Sequence, residues 1–354
     1  MLFGYPIAAT QNNWLHECIC EAIRRIHAAA DARKRYPVWP QILPEEYREN
    51  LASRRGLRDR LQTYNRAIRR LSADERALVL ETLDAENRIP DLLSGAHDCG
   101  TVDSLPEIVQ KPVIDLYSFA FDLLTELSLR DEHYAAIYAA APEHTCPFCG
   151  TEIFDAPGAP REDLDHYLAR SRYPFAAINL RNLVPMGHKC NSKYKLARDL
   201  LRRDDGSRRV AFDPYNHVKV DVILDDSDPF DGSTANTPRW IVRFDPETAE
   251  VPTWDEVFSV RERYSRDHLD PSFSRWLSLF GKWARSEIGD DTDEALVAVL
   301  RKYEEFWADH GMQDRAFLKA AVFRMLRLHC EAGHRRLIQQ LRHVISPSRY
   351  FGAL

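Results

Sequence analysis

Residues 146–195 contain Cys146-Pro-Phe-Cys149, then Leu164-Asp165-His166-Tyr167, then Asn182-Leu-Val-Pro185, then Cys190-Asn191-Ser-Lys193. A split set of cysteines brackets an Asp-His pair, and two asparagines follow at fixed offsets.

Cys146-Pro-Phe-Cys149-Gly150 has the form of half a zinc knuckle. Two thiolates three positions apart on a tight turn can share one tetrahedral metal, and glycine supplies the turn backbone. Cys190 lies where a second half belongs, but position 187 is glycine where its first thiolate would stand. A structural zinc site wants four ligands. His188 is the nearest substitute and His144 another. The plain alternative is three buried thiols that hold no metal.

Residues from about Lys189 to Arg203 predict a helix. On it Asn191, Lys195, Arg198 and Arg202 fall at i, i+4, i+7 and i+11, one face. Tyr194, Ala197 and Leu201 form a separate apolar face. An amide and an aspartate are hard oxygen ligands suited to Mg²⁺ or Mn²⁺. Lys193, Lys195, Arg198 and Arg202 would suit a phosphate backbone, although exposed helix charges look the same.

The tract resembles the HNH (ββα-metal) nuclease family, in its zinc-stapled subgroup, over about residues 143–203. The resemblance implies a catalytic set. His166 is the general base, Asp165 a divalent-ion ligand, Asn182 the residue that holds the loop and orients the histidine, and Asn191 the residue that completes the metal site. It also implies Mg²⁺ or Mn²⁺ for catalysis and Zn²⁺ on Cys146, Cys149, Cys190 and a fourth ligand such as His188. The flanks, for instance Phe212-Asp-Pro-Tyr215, are similar to those of larger bacterial HNH proteins linked to phage defence or restriction. The function so implied is an endonuclease cutting DNA. RNA is an alternative substrate, because the motif addresses a phosphate and a sugar leaving group. A second alternative is a zinc-stabilised nucleic-acid-binding or scaffold protein whose nuclease module is inactive.

Composition sets the limits. The 354 residues are 44% apolar and 29% charged, with net charge −6. That charge does not advertise a nucleic-acid binder, but its distribution is uneven. Residues 161–209 carry 12 Lys/Arg against 6 Asp/Glu, and residues 315–354 carry 8 against 1. Residues 216–314 carry 11 against 22. Two basic segments flanking an acidic one fit a localised polyanion-binding face, or solvated helix surface. No apolar run approaches the roughly 18–20 residues of a membrane helix. The first residues lack an export signal, and seven cysteines with one Cys-x-x-Cys fit a reducing cytoplasm. No P-loop appears, so ATP-driven control would come from a partner protein such as an ATPase.

The expected fold is α+β and mainly helical: a helical segment 1–141, the HNH module 142–215, and a C-terminal segment 216–354 with a short β-hairpin and then helices. Ser72-Ala-Asp-Glu75 reads as a capping box opening a helix to about Asp84. Pro37, Pro40 and Pro44 mark a break, and Ile114 to about Ala141 reads as one long helix. Val218–Leu224 and Arg239–Phe244 alternate as half-buried strands. The carboxylates Asp225, Asp226, Asp228 and Asp231 between them match no EF-hand loop and read as a solvated turn. Trp276, Phe280, Trp283, Phe306 and Trp307 are expected in the core. His16, Cys18 and Cys20 are expected to be core residues, and His329, Cys330, His334 and His343 core or surface rather than ligands.

Overall fold

A computed structural model describes residues 1–159, 164–216, 218–230 and 238–346. The chain is 59% helical and 5% strand, with small two-stranded sheets, an α+β arrangement. Among the described residues no helix is long and apolar enough to cross a membrane.

The chain divides into two units, one essentially 3–148 and 153–218, the other 149–152 and 219–354. Contacts therefore group most of residues 142–215 with the helices before them. In the first unit, α1 (Trp14–Asp31) buries Leu15, Ile19, Ala22, Ile23 and Ile26, the i, i+4, i+7, i+8 and i+11 stripe of an amphipathic helix. It packs on α2 (Arg55–Ile68) and α3 (Ala73–Glu86). The capping box at Ser72 is formed: its hydroxyl accepts from the Glu75 N–H, and the Glu75 carboxylate accepts from the Ser72 N–H. The proline break also holds, since the chain is non-helical between α1 and Glu45.

The single helix expected from Ile114 to Ala141 is two. They are α4 (Glu107–Glu126) and α5 (Leu129–Ala140), and Ser128 breaks them with φ of 60°. That left-handed backbone interrupts the helix, and sequence periodicity does not register it because both helices are apolar on one face.

The site-bearing segment forms a minimal hairpin. β1 (Asp165–His166) pairs antiparallel with β2 (Leu183–Val184), Asp165 opposite Val184 and His166 opposite Leu183. The connection between them is buried: Phe175, Ala176, Ile178 and Leu180 are at most 1% exposed. A buried loop must pair its backbone groups, and α1 and α3 supply the partners. The Glu86 carboxylate accepts from the Phe175 N–H at 2.7 Å, and the Asn13 amide oxygen accepts from the Leu180 N–H at 3.0 Å. Asn179 Nδ2 donates to Asn87 Oδ1 at 3.1 Å.

The helix expected from Lys189 to Arg203 does not form. The chain makes a π turn over Cys190–Lys195, closed by Leu196 N–H to Asn191 O at 2.9 Å. Leu196 then leaves helical space with φ of 51° and ψ of −127°. The i, i+4, i+7, i+11 face therefore does not exist, because the wider turn rotates each residue away from its α-helical position.

In the second unit β3 (Asp221–Ile223) pairs antiparallel with β4 (Arg243–Asp245), shorter than the two alternating runs predict but in the expected place. Asp225 pairs with Arg324, Asp226 with Arg243, and Asp228 accepts from the Phe230 N–H, which is a tied-down turn; Asp231 lies outside the described residues. The unit is otherwise helical, with α6 (Val251–Phe258), α7 (Asp270–Glu287), α8 (Asp293–Ala308), α9 (Ala316–Glu331) and α10 (Arg335–Ile345). α8 packs on α9 and α7 on α10. Trp276 and Phe280 are core and Trp283 and Trp307 half-buried, but Phe306 is 45% exposed and stands outside the core. His329 Nε2 donates to the Ser227 carbonyl and the His334 side chain caps α10, both structural roles. His16, Cys18 and Cys20 are buried in α1.

Candidate functional site

Asn182 is the fixed point of the hairpin. It is fully buried, and its side-chain amide grips the backbone of Leu168 twice. Leu168 N–H donates to Asn182 Oδ1 at 2.7 Å, and Asn182 Nδ2 donates to Leu168 O at 3.0 Å. The Tyr167 N–H adds a bond to the Asn182 carbonyl at 2.8 Å. These three bonds set the chain direction immediately after His166.

His166 is half-buried at the end of β1. Its Nε2 lies 3.0 Å from the Ala177 carbonyl oxygen. A carbonyl can only accept, so Nε2 carries the proton and Nδ1 is left as the acceptor. Burial pushes the imidazole down to about 3, and the charges of Arg170, Lys195 and Arg130 act in the same direction, against the bond to Ala177. The ring is therefore neutral at physiological pH. It packs against Phe121 of α4 with centroids 4.5 Å apart. The Arg130 guanidinium sits 4.5 Å over that same ring and Arg170 5.7 Å from its centroid.

Asp165 and Lys195 form a buried pair. Lys195 is 1% exposed, and its Nζ lies 2.7 Å from Asp165 Oδ2 and 2.8 Å from the His166 carbonyl. Burial raises the Asp165 carboxyl above the usual range, and Lys195 opposes the shift. Lys195 is thus an internal ion-pair partner and not a surface phosphate contact. Asn191 is half-buried at the start of the π turn. Lys193 and Arg198 are exposed, and Arg202 pairs with Asp98.

A divalent ion at Asp165 is a poor fit to this arrangement. The carboxylate already faces an ammonium. Among the described residues Asp165 belongs to no group of three or more His, Cys, Asp or Glu ligands. Such ions want several oxygen ligands, at least one of them an available carboxylate.

The cysteines fit a metal well. Cys146, Cys149 and Cys190 are buried, and their sulfurs lie within 4.8 Å of one another. None of the seven cysteines forms a disulfide. Tetrahedral zinc with Zn–S near ~2.3 Å places sulfurs in this range. Gly187, the departure from a four-cysteine pattern, donates its N–H to Cys146 Sγ at 3.3 Å. Such amide bonds orient and stabilise a thiolate ligand. Gly150 has φ of +67°, the left-handed turn expected of the knuckle, and a Cβ there would come within 2.4 Å of Leu2. His188, expected as the fourth ligand, is exposed and lies outside the group of three sulfurs. His144 stacks on Tyr138 with centroids 3.8 Å apart and is not in the cluster either.

Sequence reasoning missed Ala177, Phe121 and Arg130 as neighbours of His166, and Arg170 as a cation beside it. Arg170 lies four residues after His166, so the basic Arg170 and Arg172 behind the motif were a usable signal. Phe121 and Arg130 arrive through tertiary packing of α4 and α5 and leave none. Comparison of the chain with protein-family models, curated proteins and solved structures returned no match.

Proposed function

We propose that this chain is a phosphodiester hydrolase of the HNH type, acting on DNA, with His166 Nδ1 as general base. One observation carries the reading. A neutral imidazole with Nε2–H fixed on Ala177 O stands beside two guanidiniums, Arg130 and Arg170, and Asn182 locks the loop that follows. A phosphodiester brings negative charge to those guanidiniums. Its negative charge would oppose the part of the lowered His166 basicity that comes from Arg170 and Arg130, while burial, the larger cause, stays. Nδ1 then takes a proton from water, the water oxygen bonds to phosphorus, and the bond to the departing 3′-oxygen breaks. The departing oxygen takes its proton from solvent. No step is assigned to a divalent ion, since Asp165 faces Lys195. Zinc on Cys146, Cys149 and Cys190 would tie the π turn to the Cys146–Cys149 turn and take no part in the chemistry. A role in bacterial phage defence or restriction is the setting suggested by the sequence flanks.

The Lys195–Asp165 pair favours one second reading, a zinc-stabilised nucleic-acid-binding protein that does not cut. The experiment is cleavage of plasmid DNA, single-stranded DNA and RNA by purified protein, in Mg²⁺, Mn²⁺ or EDTA, with His166→Ala beside wild type. Cutting that disappears in the variant supports the hydrolase, and the substrate cut assigns DNA or RNA. Binding of all three polymers with no cutting supports the second reading.

A further inference from the structure

We infer that the cation position beside Asp165 is filled by the chain's own Lys195 ammonium, so that a divalent ion and Lys195 compete for one carboxylate. The inference rests on the reading of Asp165 and His166 as the reactive hairpin.

Three independent features hold Lys195 there. The first is the contact set. Nζ reaches both Asp165 Oδ2, at 2.7 Å, and the His166 carbonyl, at 2.8 Å, so it bridges a side chain and the backbone of β1. An ammonium has three donors and no acceptor, and this pocket offers it oxygens of the kind a metal ion would take. The second is burial. At 1% exposure Lys195 is among the largest fully buried side chains in the molecule, and lysine is almost never fully buried unless paired. The third is the backbone. The π turn Cys190–Lys195 ends in Leu196 at φ 51°, a left-handed conformation that is unfavourable for a leucine, and Leu196 is 58% exposed. The strained residue gains little from burial of its own side chain. What the local geometry accomplishes is to turn its neighbour inward onto Asp165.

Electrostatics makes the two occupants exclusive. A second cation brought to Asp165 with Lys195 in place would put like charges within a few ångströms in a buried site, which is strongly unfavourable. An ion can enter as the ammonium leaves. Release is straightforward in one respect, because Lys193 on the same turn and Leu196 and Arg198 just after it are exposed and solvent is near.

The test uses the full chain and reads binding, not cleavage. Mn²⁺ binding is followed by paramagnetic resonance in wild type, Lys195→Met and Lys195→Met/Asp165→Asn, with circular dichroism to confirm folding. The side-chain reactivity of Lys195 toward an amine-acylating reagent is followed by mass spectrometry in wild type with and without Mn²⁺. Lys195→Met is expected to bind Mn²⁺ about tenfold or more tighter than wild type, with the gain lost in the double variant. If Lys195→Met does not fold, Lys195→Gln, which keeps a donor to the His166 carbonyl, takes its place. Lys195 in wild type is expected to be protected from acylation, and to become reactive only to the extent that Mn²⁺ binds. Equal Mn²⁺ affinity in a folded Lys195 variant overturns the inference. So does Mn²⁺ bound through Asp165 in wild type while Lys195 stays protected. Failure of the hydrolase reading would show as absent cleavage and leave these binding and labelling results unchanged, so the two failures are separable.

Discussion

His166 donates its Nε2–H to the carbonyl of Ala177 at 3.0 Å, across the buried connection between the two strands of its own hairpin. The bond fixes the tautomer, and it ties the reactivity of β1 to the placement of residues 174–182. In nitrogen NMR spectra His166 is expected to be the Nε2–H tautomer and to stay neutral well into the acid range, because burial pushes its pKa down to about 3. The unfolded chain binds that proton near pH ~6.5. The unfolded state therefore holds more protons between the two values, and stability falls as pH is lowered through that window. A His166→Gln variant should show a flatter pH dependence of its urea midpoint over the same range. An Nδ1–H tautomer in the spectra would contradict the assignment of Nδ1 as base.

Glu86 should act on His166 from a distance. It is fully buried in α3 and holds the Phe175 N–H, two residues from Ala177. Burial raises its carboxyl well above the usual value. Its contribution to stability is then complete below the unfolded pKa of roughly 4.5 and is lost as pH rises toward the folded value. Glu86→Gln keeps the acceptor and removes the ionisable group. It is expected to match or exceed wild-type stability near neutrality, with the difference closing in acid. Glu86→Ala leaves a buried N–H unpaired and should cost about 1–3 kcal/mol in urea denaturation. In a merely structural role Glu86→Ala would leave the His166 ring signals alone, whereas positioning predicts that they shift in Glu86→Ala and return in Glu86→Gln.

Asn182→Ala removes both side-chain bonds to Leu168. Two buried backbone groups lose their partners, a loss of about 2–5 kcal/mol. Asn182→Asp keeps the acceptor for Leu168 N–H but turns an oxygen on the Leu168 carbonyl, and should be destabilised by a comparable amount. Denaturation midpoints of the two variants decide this, and a wild-type midpoint for Asn182→Asp would show that the loop is held otherwise.

Zinc should be present at one per chain by elemental analysis, and Cys190→Ser should lose it. Chelation is expected to lower the melting temperature, since metal binding to preformed thiolates is coupled to folding. Metal content unchanged in Cys190→Ser would remove Cys190 from the ligand set.

Arg130→Ala and Arg170→Ala should each weaken nucleic-acid binding in a sequence-independent way and reduce the salt dependence by about one phosphate contact. Fluorescence anisotropy with a labelled oligonucleotide at several salt concentrations measures both. Lys195 is buried and should not contribute to that slope, a distinction that the sequence reading did not make.

Much of the hairpin was legible because its signals are local. Asn182 clasps the backbone of Leu168, and Cys146, Cys149 and Cys190 meet although some forty residues separate Cys149 from Cys190. The capping box at Ser72 and the pairing of β3 with β4 were legible for the same reason. Lys195 was misplaced because a 3.6-residue period was imposed on a π turn, which no composition signal announces. Ser128 was missed because a left-handed residue between two amphipathic helices leaves the apolar pattern intact. The neighbours Phe121, Arg130 and Ala177 depend on tertiary packing, which a single sequence does not display.

The central claim is that His166 is the base in phosphodiester hydrolysis. The most direct measurement is the cleavage rate of one end-labelled DNA by wild type and by His166→Ala, at equal concentration and with matched circular-dichroism spectra. With His166 as the base, the rate in the variant is expected to be lower by about 10²–10⁴-fold, the usual contribution of a general base. A variant that cuts at the wild-type rate would contradict it.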